Sequence, residues 1–428
     1  MPARHRVVII GGGFGGLSAA RALKRAPVEV TMLDRCNYHL FQPLLYQVAT
    51  GALSPANIAA PLRRVLRHHR NTRVLLAEAV DIEVANRSVA LSDGKVGYDT
   101  LIVATGARHH YFGKEQWEEL APGLKTIEDA THIRRRIFLA FEAAERESDP
   151  EKIRAWLTFV IVGAGPTGVE MAGALGEISN DTLKHDFRKI NPSEARILLV
   201  EGADRVLPPF PPALSHSAQR MLARLGVTIR TGAVVADVTP EAVNLREGSL
   251  VEVIPTRTVV WAAGVQASPL GRILAHQTGA ALDRSGRVVV EPDLSLPGYP
   301  EIFVIGDLAH FSRHGGKPLP GIAQPAIQQG RYVAKLIERR VRSKSTGPFH
   351  YFDQGTMATI GRSAAVADLR CVRLSGLPAW LVWLFIHLMY IVEFQNRLLV
   401  FLQWAWNYYT FNRSARLITG KNPLPLDL

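Results

Sequence analysis

Cysteine is almost missing from this chain: Cys36 and Cys371 are the only two among 428 residues. No C-x-x-C pair exists, which excludes a relay of paired catalytic thiols, a disulfide framework and a zinc site built on cysteine spacing. No metal is therefore expected. Apolar runs long enough to span a bilayer are lacking too. The C-terminal run Leu377 to Val392 is apolar except for His387, but its sixteen residues fall short of the about 20 a spanning helix needs. A secretory leader is not expected either, because the charged start Met1 to Arg6 runs straight into a glycine motif. The chain is expected to stay in the reducing compartment where it is made, with both thiols passive.

Acidic residues are in deficit, 38 against 50 lysines and arginines, giving a net charge of +12. Such a balance favours an anionic partner, with nucleic acid and acidic lipid the two to weigh. Basic residues are scattered and no recognition module is visible, so nucleic acid is not expected. The clusters Arg63 to Arg70 and Arg339 to Lys344 read as solvated helix faces, the second also as a place for anionic lipid. At 47% hydrophobic and 21% charged the chain is an ordinary globular one, long enough for two or three domains.

What the chain does have is glycine at the ends of buried strands. Arg6 to Ile10 (RVVII) reads as a short buried strand, followed by Gly11-x-Gly13-x-x-Gly16 and the helical pattern LSAARALKRA. The strand VEVTMLD then ends at Asp34, eighteen positions after Gly16. This strand–loop–helix–strand–acid order is far more specific than an isolated glycine pattern. Gly11 permits the tight turn, Gly13 lets a pyrophosphate approach the backbone, and Gly16 lets helix and strand pack closely. The helix N-terminus offers free N–H groups and a positive dipole end to phosphates, and Asp34 offers a carboxylate to ribose hydroxyls.

The pattern recurs 152 positions later, with LTFVIV, Gly163-x-Gly165-x-x-Gly168, a helix opening VEMAGALGEI, and ARILLVE ending at Glu201. The gap from Gly168 to Glu201 is 33 positions, against about 20 in the usual unit. An inserted stretch at 180–194 accounts for it. Two intact units imply two nucleotides. An acid at the second strand end favours NADH, because a carboxylate repels the 2′-phosphate of NADPH, while nearby Arg205 leaves a phosphate reading open. Leu101 to Gly106 (LIVATG) closes the first nucleotide fold and Val259 to Gly264 (VVWAAG) the second. Ile302 to Asp307 (IFVIGD) returns to the first as a strand ending in Gly306-Asp307.

These motifs resemble the two-dinucleotide-fold flavoproteins, the family of glutathione reductase-like and ferredoxin reductase-like enzymes. The resemblance implies an α/β chain of two Rossmann-like, glutathione reductase-like domains, the second inserted in the first. It implies FAD contacts at Gly11, Gly13, Phe14, Gly15, Gly16, Asp34, Val80, Ala104, Thr105, Gly106, Gly306 and Asp307. NADH contacts are implied at Gly163, Gly165, Gly168, Glu201, Ala263 and Gly264. Residues 1–125 and 265–345 would form the FAD-binding domain and 126–264 the NADH-binding domain. A C-terminal helical membrane-interface region would take 346–428.

Within that family, Ala323-Gln324-Pro325-Ala326-Ile327-Gln328-Gln329-Gly330 resembles the A-Q-x-A-x-Q signature of the type II NADH:quinone dehydrogenases. Asn37 to Gly51 and Gly355 to Val366 also look like that family, so the resemblance covers nearly the whole chain. It implies a quinone head group beside Ala323, Gln324 and Gln328. A glutamine N–H₂ can donate to a carbonyl oxygen that gains charge on reduction; helix capping and flavin support are the plainer uses. Glu170 matches a glutamate that the family places near nicotinamide and flavin, for nicotinamide placement or proton delivery. Read as a bare residue in the first helical turn, it favours the helix N-terminus. Some family members carry a lysine near the quinone. No clear match exists here, Arg362 being the nearest basic residue.

The segment Leu377 to Phe411 holds four of the seven tryptophans (Trp380, Trp383, Trp404, Trp406) with Tyr390, Tyr408 and Tyr409. Glu393, Asn396, Gln403 and Asn407 recur at helical spacing and leave Leu398, Phe401 and Leu402 on an apolar face. Arg397, Arg413, Arg416 and Lys421 flank it. Aromatics at headgroup depth with cations toward anionic lipid is the pattern of a helix lying in a membrane interface. A buried homodimer interface is the competing reading. The expected function is electron transfer from NADH through FAD to a lipid-soluble quinone without proton pumping, at the cytoplasmic face of the cell membrane. A soluble reductase for ferredoxin or rubredoxin and a flavin redox-sensing binding protein are the rivals.

Overall fold

In the computed structural model the described residues are 4–312, 316–410 and 413–419. They form two compact units. The first comprises Met1–Leu40, Ala59–Arg108 and Val265–Asp353; the second comprises Phe41–Ile58, His109–Gly264 and Gln354–Leu428. Residues 41–58, 109–125 and 354–428 thus group with the second glycine loop, a two-part division where the sequence suggested three regions. Lys421 and Phe411 lie outside the described residues.

In chain order the opening elements are β1 (His5–Ile10), α1 (Phe14–Ala22), β2 (Val28–Asp34), α2 (Leu45–Ala49), β3 (Thr72–Leu76), β4 (Thr100–Val103) and α3 (Ile127–Arg146). Next come β5 (Thr158–Val162), α4 (Pro166–Glu177), β6 (Arg196–Glu201), α5 (Pro212–Arg224), β7 (Val227–Thr231) and β8 (Thr258–Trp261). The chain closes with β9 (Ser295–Leu296), β10 (Tyr299–Val304), α6 (Ala323–Val341), β11 (Thr356–Thr359), β12 (Ala365–Asp368), β13 (Arg373–Gly376), α7 (Leu377–Tyr390) and α8 (Phe394–Thr410).

The first unit is built on a sheet of order β9-β10-β4-β1-β2-β3, parallel except for the β9 edge. Its central strands read as continuous β-branched runs because both faces are covered: Val7, Val8, Ile9 and Ile10 of β1 are all buried. Strand β10 enters late in the chain to lie beside β4, so the second nucleotide fold is inserted in sequence between strands of the first. That second fold has the sheet β7-β6-β5-β8, wholly parallel, with Phe159 to Val162 buried. The architecture is the expected α/β pair of Rossmann-like sheets.

The extra residues between Gly168 and Glu201 have a visible structure. Helix α4 runs on into one π-helical turn, Ile178–Thr182. Past it, the main-chain N–H groups of Arg188, Lys189 and Ile190 all donate to the Glu145 carboxylate of α3, at 3.0 to 3.1 Å.

At the C-terminus the apolar segment forms two helices, α7 and α8, and no described helix is long and apolar enough to cross a membrane. The faces of α8 are inverted relative to an ordinary surface helix. Its polar side chains turn inward, Asn396 donating to Ala56 O and Asn407 to Ala52 O, each at 3.3 Å. Leu398, Phe401, Leu402, Trp406 and Tyr409 face out. The flanking cations differ from expectation. Arg413 is buried against Glu177, Arg416 pairs with Asp186, and Arg397 donates to Ile391 O, so none of the three is held out as a free lipid-facing charge. In the first unit, Arg340 and Arg342 of the second basic cluster are likewise paired, with Asp293 and Glu338.

Candidate functional site

Each glycine loop is shaped by the clash that a side chain would cause. Gly11 sits at φ +103°, where an added Cβ would run into Ala104 O, and at Gly16 it would overlap Gly11 O. At Gly13 it would meet nothing within 4 Å. The second loop repeats this position by position. Gly163 at φ +98° would press Ala263 Cα at 2.8 Å, Gly168 would overlap Gly163 O, and Gly165 faces open space. Two glycines close the turn against its strand and helix, and the middle one leaves the backbone bare toward the helix N-terminus. That is the shape a pyrophosphate requires.

The strand-end acids close both cradles in the same way. Asp34 Oδ2 accepts from Gly12 N at 2.5 Å and Oδ1 from Cys36 N at 2.6 Å. Glu201 Oε2 accepts from Ala164 N at 2.7 Å and Oε1 from Ala203 N at 2.9 Å. The sequence assigned these carboxylates to ribose; the structure adds that they also brace their own loops. Burial pushes the Asp34 carboxyl above its ordinary value, against the two N–H groups that lower it. His39, unnoticed in the sequence, supports the first loop through Nδ1 on Gly12 O at 2.9 Å. It lies edge-on to Phe14 with centroids 5.1 Å apart, and burial lowers its pKa to about 4, so it is neutral.

The late Gly-Asp turn and the glutamine helix meet inside the first unit. Gly306, at φ +72°, donates its N–H to Gln329 Oε1 at 2.7 Å, and Gln329 is 1% exposed. Gln329 is thus the glutamine that holds the turn bearing Asp307. Gln328, one of the expected quinone contacts, has its amide committed to the main chain of Phe352 in both directions, at 2.8 and 2.9 Å. Gln324 differs from both: its Oε1 is buried with no hydrogen-bond partner in the protein. Thr105 Oγ1, just past β4, is in the same condition. Buried polar atoms are seldom left unpaired, and these two are among the few described side-chain atoms in that condition. Gly330 has a packing role: an added Cβ would strike Gly15 O, so the two glycines let α6 cross α1 closely. Val80 is exposed, and Ala104 and Gly106 (φ +66°) follow β4 directly. In the second unit Gly264 takes φ +71° next to Ala263.

Helix α4 begins at Pro166, so Glu170 stands in its second turn, beyond reach of the helix N-terminus. The electrostatic reading of this residue thereby loses its ground. Its carboxyl is closely surrounded by protein although the residue keeps some accessible surface, and burial raises its pKa to about 8, against one lowering contact from the Thr359 backbone. Around it lie Tyr46 of α2 and Thr359 of β11, with Tyr46 Oη 3.0 Å from Thr359 Oγ1. Burial, then the nearby Glu170 charge, pushes the Tyr46 phenol up.

One helical face further along α4, Glu177 is buried and ion-paired with Arg413 at 2.8 Å. Arg413 also donates to Thr50 Oγ1 at 2.9 Å, and Arg362 N donates to Glu177 Oε1 at 2.6 Å. Burial raises the Glu177 carboxyl, opposed first by Arg413. Glu177 did not stand out in the sequence, and Arg413 was read there only as a flanking cation toward lipid. Together they line a cavity with Tyr46, Gln47, Trp383 and Trp404.

Two phosphate cradles, each with its own acid, define a chain that takes two dinucleotides. Comparison agrees: residues 5–330 match the model of the pyridine nucleotide-disulphide oxidoreductases, and 354–413 that of the NDH2 C-terminal domain. The type II NADH:quinone oxidoreductase Ndh of Mycobacterium tuberculosis is 47% identical, covering 98% of this chain and 91% of its own. A Staphylococcus aureus protein of the same description is 32% identical over 84% of this chain and 88% of its own. The Plasmodium falciparum NDH2 structure in complex with NADH superposes with a TM-score of 0.87 at 19% identity, covering 97% of this chain and 100% of that one. This chain belongs to the type II NADH:quinone oxidoreductase family.

Proposed function

We propose that this chain is an FAD-dependent NADH:quinone oxidoreductase that works without proton pumping on a lipid-soluble quinone. The observation that carries the reading is the pair of equivalent glycine cradles, each closed by a strand-end carboxylate, in a chain of this family. The first cradle, with Gly11, Gly13, Gly16, Asp34, Thr105 and Asp307, holds FAD. The second, with Gly163, Gly165, Gly168 and Glu201, holds NADH, whose ribose hydroxyls suit a carboxylate that would repel a 2′-phosphate. Bound in the first cradle, FAD would supply the two-electron chemistry that links hydride transfer from NADH to reduction of a quinone.

The remaining work falls to side chains. Gln324 is the quinone contact: its N–H₂ can donate to a quinone carbonyl gaining charge, and its buried amide oxygen, unpartnered in the protein, can accept from the hydroxyl of the quinol formed. Gln328 is a strut for Phe352 in this reading, and Gln329 for the Gly306 turn. Glu170 holds a proton at neutral pH and supplies it to quinone reduction, which consumes two. The outward apolar face of α7 and α8 seats the protein on the cytoplasmic surface of the membrane, where isoprenoid quinones reside.

Steady-state NADH oxidation with ubiquinone and menaquinone analogues, ferredoxin and rubredoxin in parallel tests the acceptor. Quinone-dependent turnover is expected, and turnover with the proteins alone overturns the reading in favour of a soluble reductase. Co-sedimentation with vesicles tests the surface. Protein found only in the supernatant as a dimer assigns the apolar face to a second copy instead.

A further inference from the structure

Helix α8 buries two side chains, Val400 and Trp404, and of these Trp404 carries a polar atom. Trp404 is 8% exposed, although Phe401, Leu402 and Trp406 around it are open, and its ring packs on Trp383 with centroids 5.3 Å apart. Its indole N–H donates to Gln47 Oε1 at 2.7 Å, Gln47 Nε2 donates to Tyr46 Oη at 3.0 Å, and Tyr46 Oη lies 3.0 Å from Thr359 Oγ1. The main chain of Thr359 hydrogen-bonds the Glu170 carboxyl. All four links lie within the second unit, and Gln47 and Thr359 are buried in it.

The orientation of the amide in this chain is forced. An indole nitrogen only donates, so Gln47 must turn its oxygen to Trp404 and its N–H₂ to the phenol. A reversed amide would set two donors against each other. The phenol oxygen then accepts from Gln47, and either hydroxyl can donate between it and Thr359 Oγ1. Removing the indole N–H frees the Gln47 amide to rotate, and the Tyr46 phenol loses its fixed donor. Buried networks of this kind are stiff when complete and loosen together when one member is lost.

We propose that Trp404 and Gln47 are positioning residues that orient the Tyr46–Thr359 pair around Glu170, so that proton delivery to quinone depends on the seating of helix α8. The inference rests on the reading of Glu170 as the proton donor. A helix with an outward apolar face then reports, through its one inward indole, whether it is docked.

The test uses the full-length flavoprotein and separates the two halves of turnover by rapid mixing. Trp404→Phe keeps the ring packing and deletes the N–H; Gln47→Met keeps length and deletes the amide. Each is expected to slow the quinone step about tenfold in kcat, with quinone KM and the NADH half-reaction unchanged. The double variant is expected to be no slower than either single one, since both cut one link. In a Glu170→Gln background Trp404→Phe is expected to do nothing further. Additive losses, an unchanged quinone step, or a loss that simply follows FAD content overturn the positioning role. If Trp404→Phe does not fold, the Gln47→Met result decides alone. Should Glu170→Gln itself leave the quinone step at the normal rate, the proton-donor reading fails. A slow Glu170→Gln beside a normal Trp404→Phe refutes only the link.

Discussion

Replacing Glu170 by Gln should convert a pH-dependent quinone step into a slow, flat one. The carboxyl is raised from 4.5 to about 8, chiefly by burial. The sign follows directly: the protonated form is present below about 8 and is lost as pH rises through that value. At pH 7 about 90% of the residue then carries a proton, against about 0.3% for an ordinary glutamate, roughly a 300-fold larger supply of acid. A placed general acid contributes about 10²- to 10⁴-fold, so a loss near 10²-fold is expected at pH 7 when the carboxamide removes the transferable proton. The Tyr46 phenol beside it does not blur the profile, because burial raises it. Reoxidation of the NADH-reduced enzyme by a soluble quinone, followed from pH 6 to 9.5, provides the assay. The wild type should fall about tenfold per pH unit above pH 8, and the variant should stay level. A wild-type profile that is flat, or a variant that matches it, refutes the reasoning.

The two cradles should fail separately. Gly16→Ala drives a methyl into Gly11 O and should yield apoprotein without flavin colour, whereas Gly168→Ala should retain FAD and lose NADH-driven bleaching; absorbance at the flavin band checks both. Arg413→Ala strands the Glu177 carboxylate in a buried site and should destabilise by about 3–5 kcal/mol in denaturant melts, with recovery of much of this by adding Glu177→Gln. Glu201→Gln removes the charge and keeps one of the two loop acceptors, so the kcat/KM preference for NADH over NADPH should drop about tenfold or more; an unchanged ratio means another group sets the choice.

Both sheets were legible because their signals are local and periodic. Strand β2 runs Val28–Asp34 as read, and the glycine spacings place α1 and α4 directly. The braces were not legible, since they depend on which polar residue faces inward. Three glutamines stand in the stretch from Gln324 to Gln329, and their sequence does not tell the Gly306 strut, the Phe352 strut and the unpartnered amide apart. Glu170 read as a first-turn acid because the helix start was set one turn late; Pro166 at the first helical position was the missed signal. Arg413 looked like a lipid-facing cation, and only the fold shows Glu177 waiting across 236 positions of sequence. Tyr46 and Gln47 lie in an apolar run, FQPLLYQVATG, where two polar side chains without a partner in reach were the available hint.

The central claim is that one polypeptide carries electrons from a pyridine nucleotide on its second cradle to a quinone by way of a flavin on its first. Anaerobic rapid mixing of the purified protein, first with NADH and then with a ubiquinone analogue, tests it in one trace. The flavin absorbance should bleach within the turnover time and return fully on quinone addition, with one quinol formed per NADH consumed. A colourless protein, or a yellow one that NADH leaves unbleached, contradicts the account.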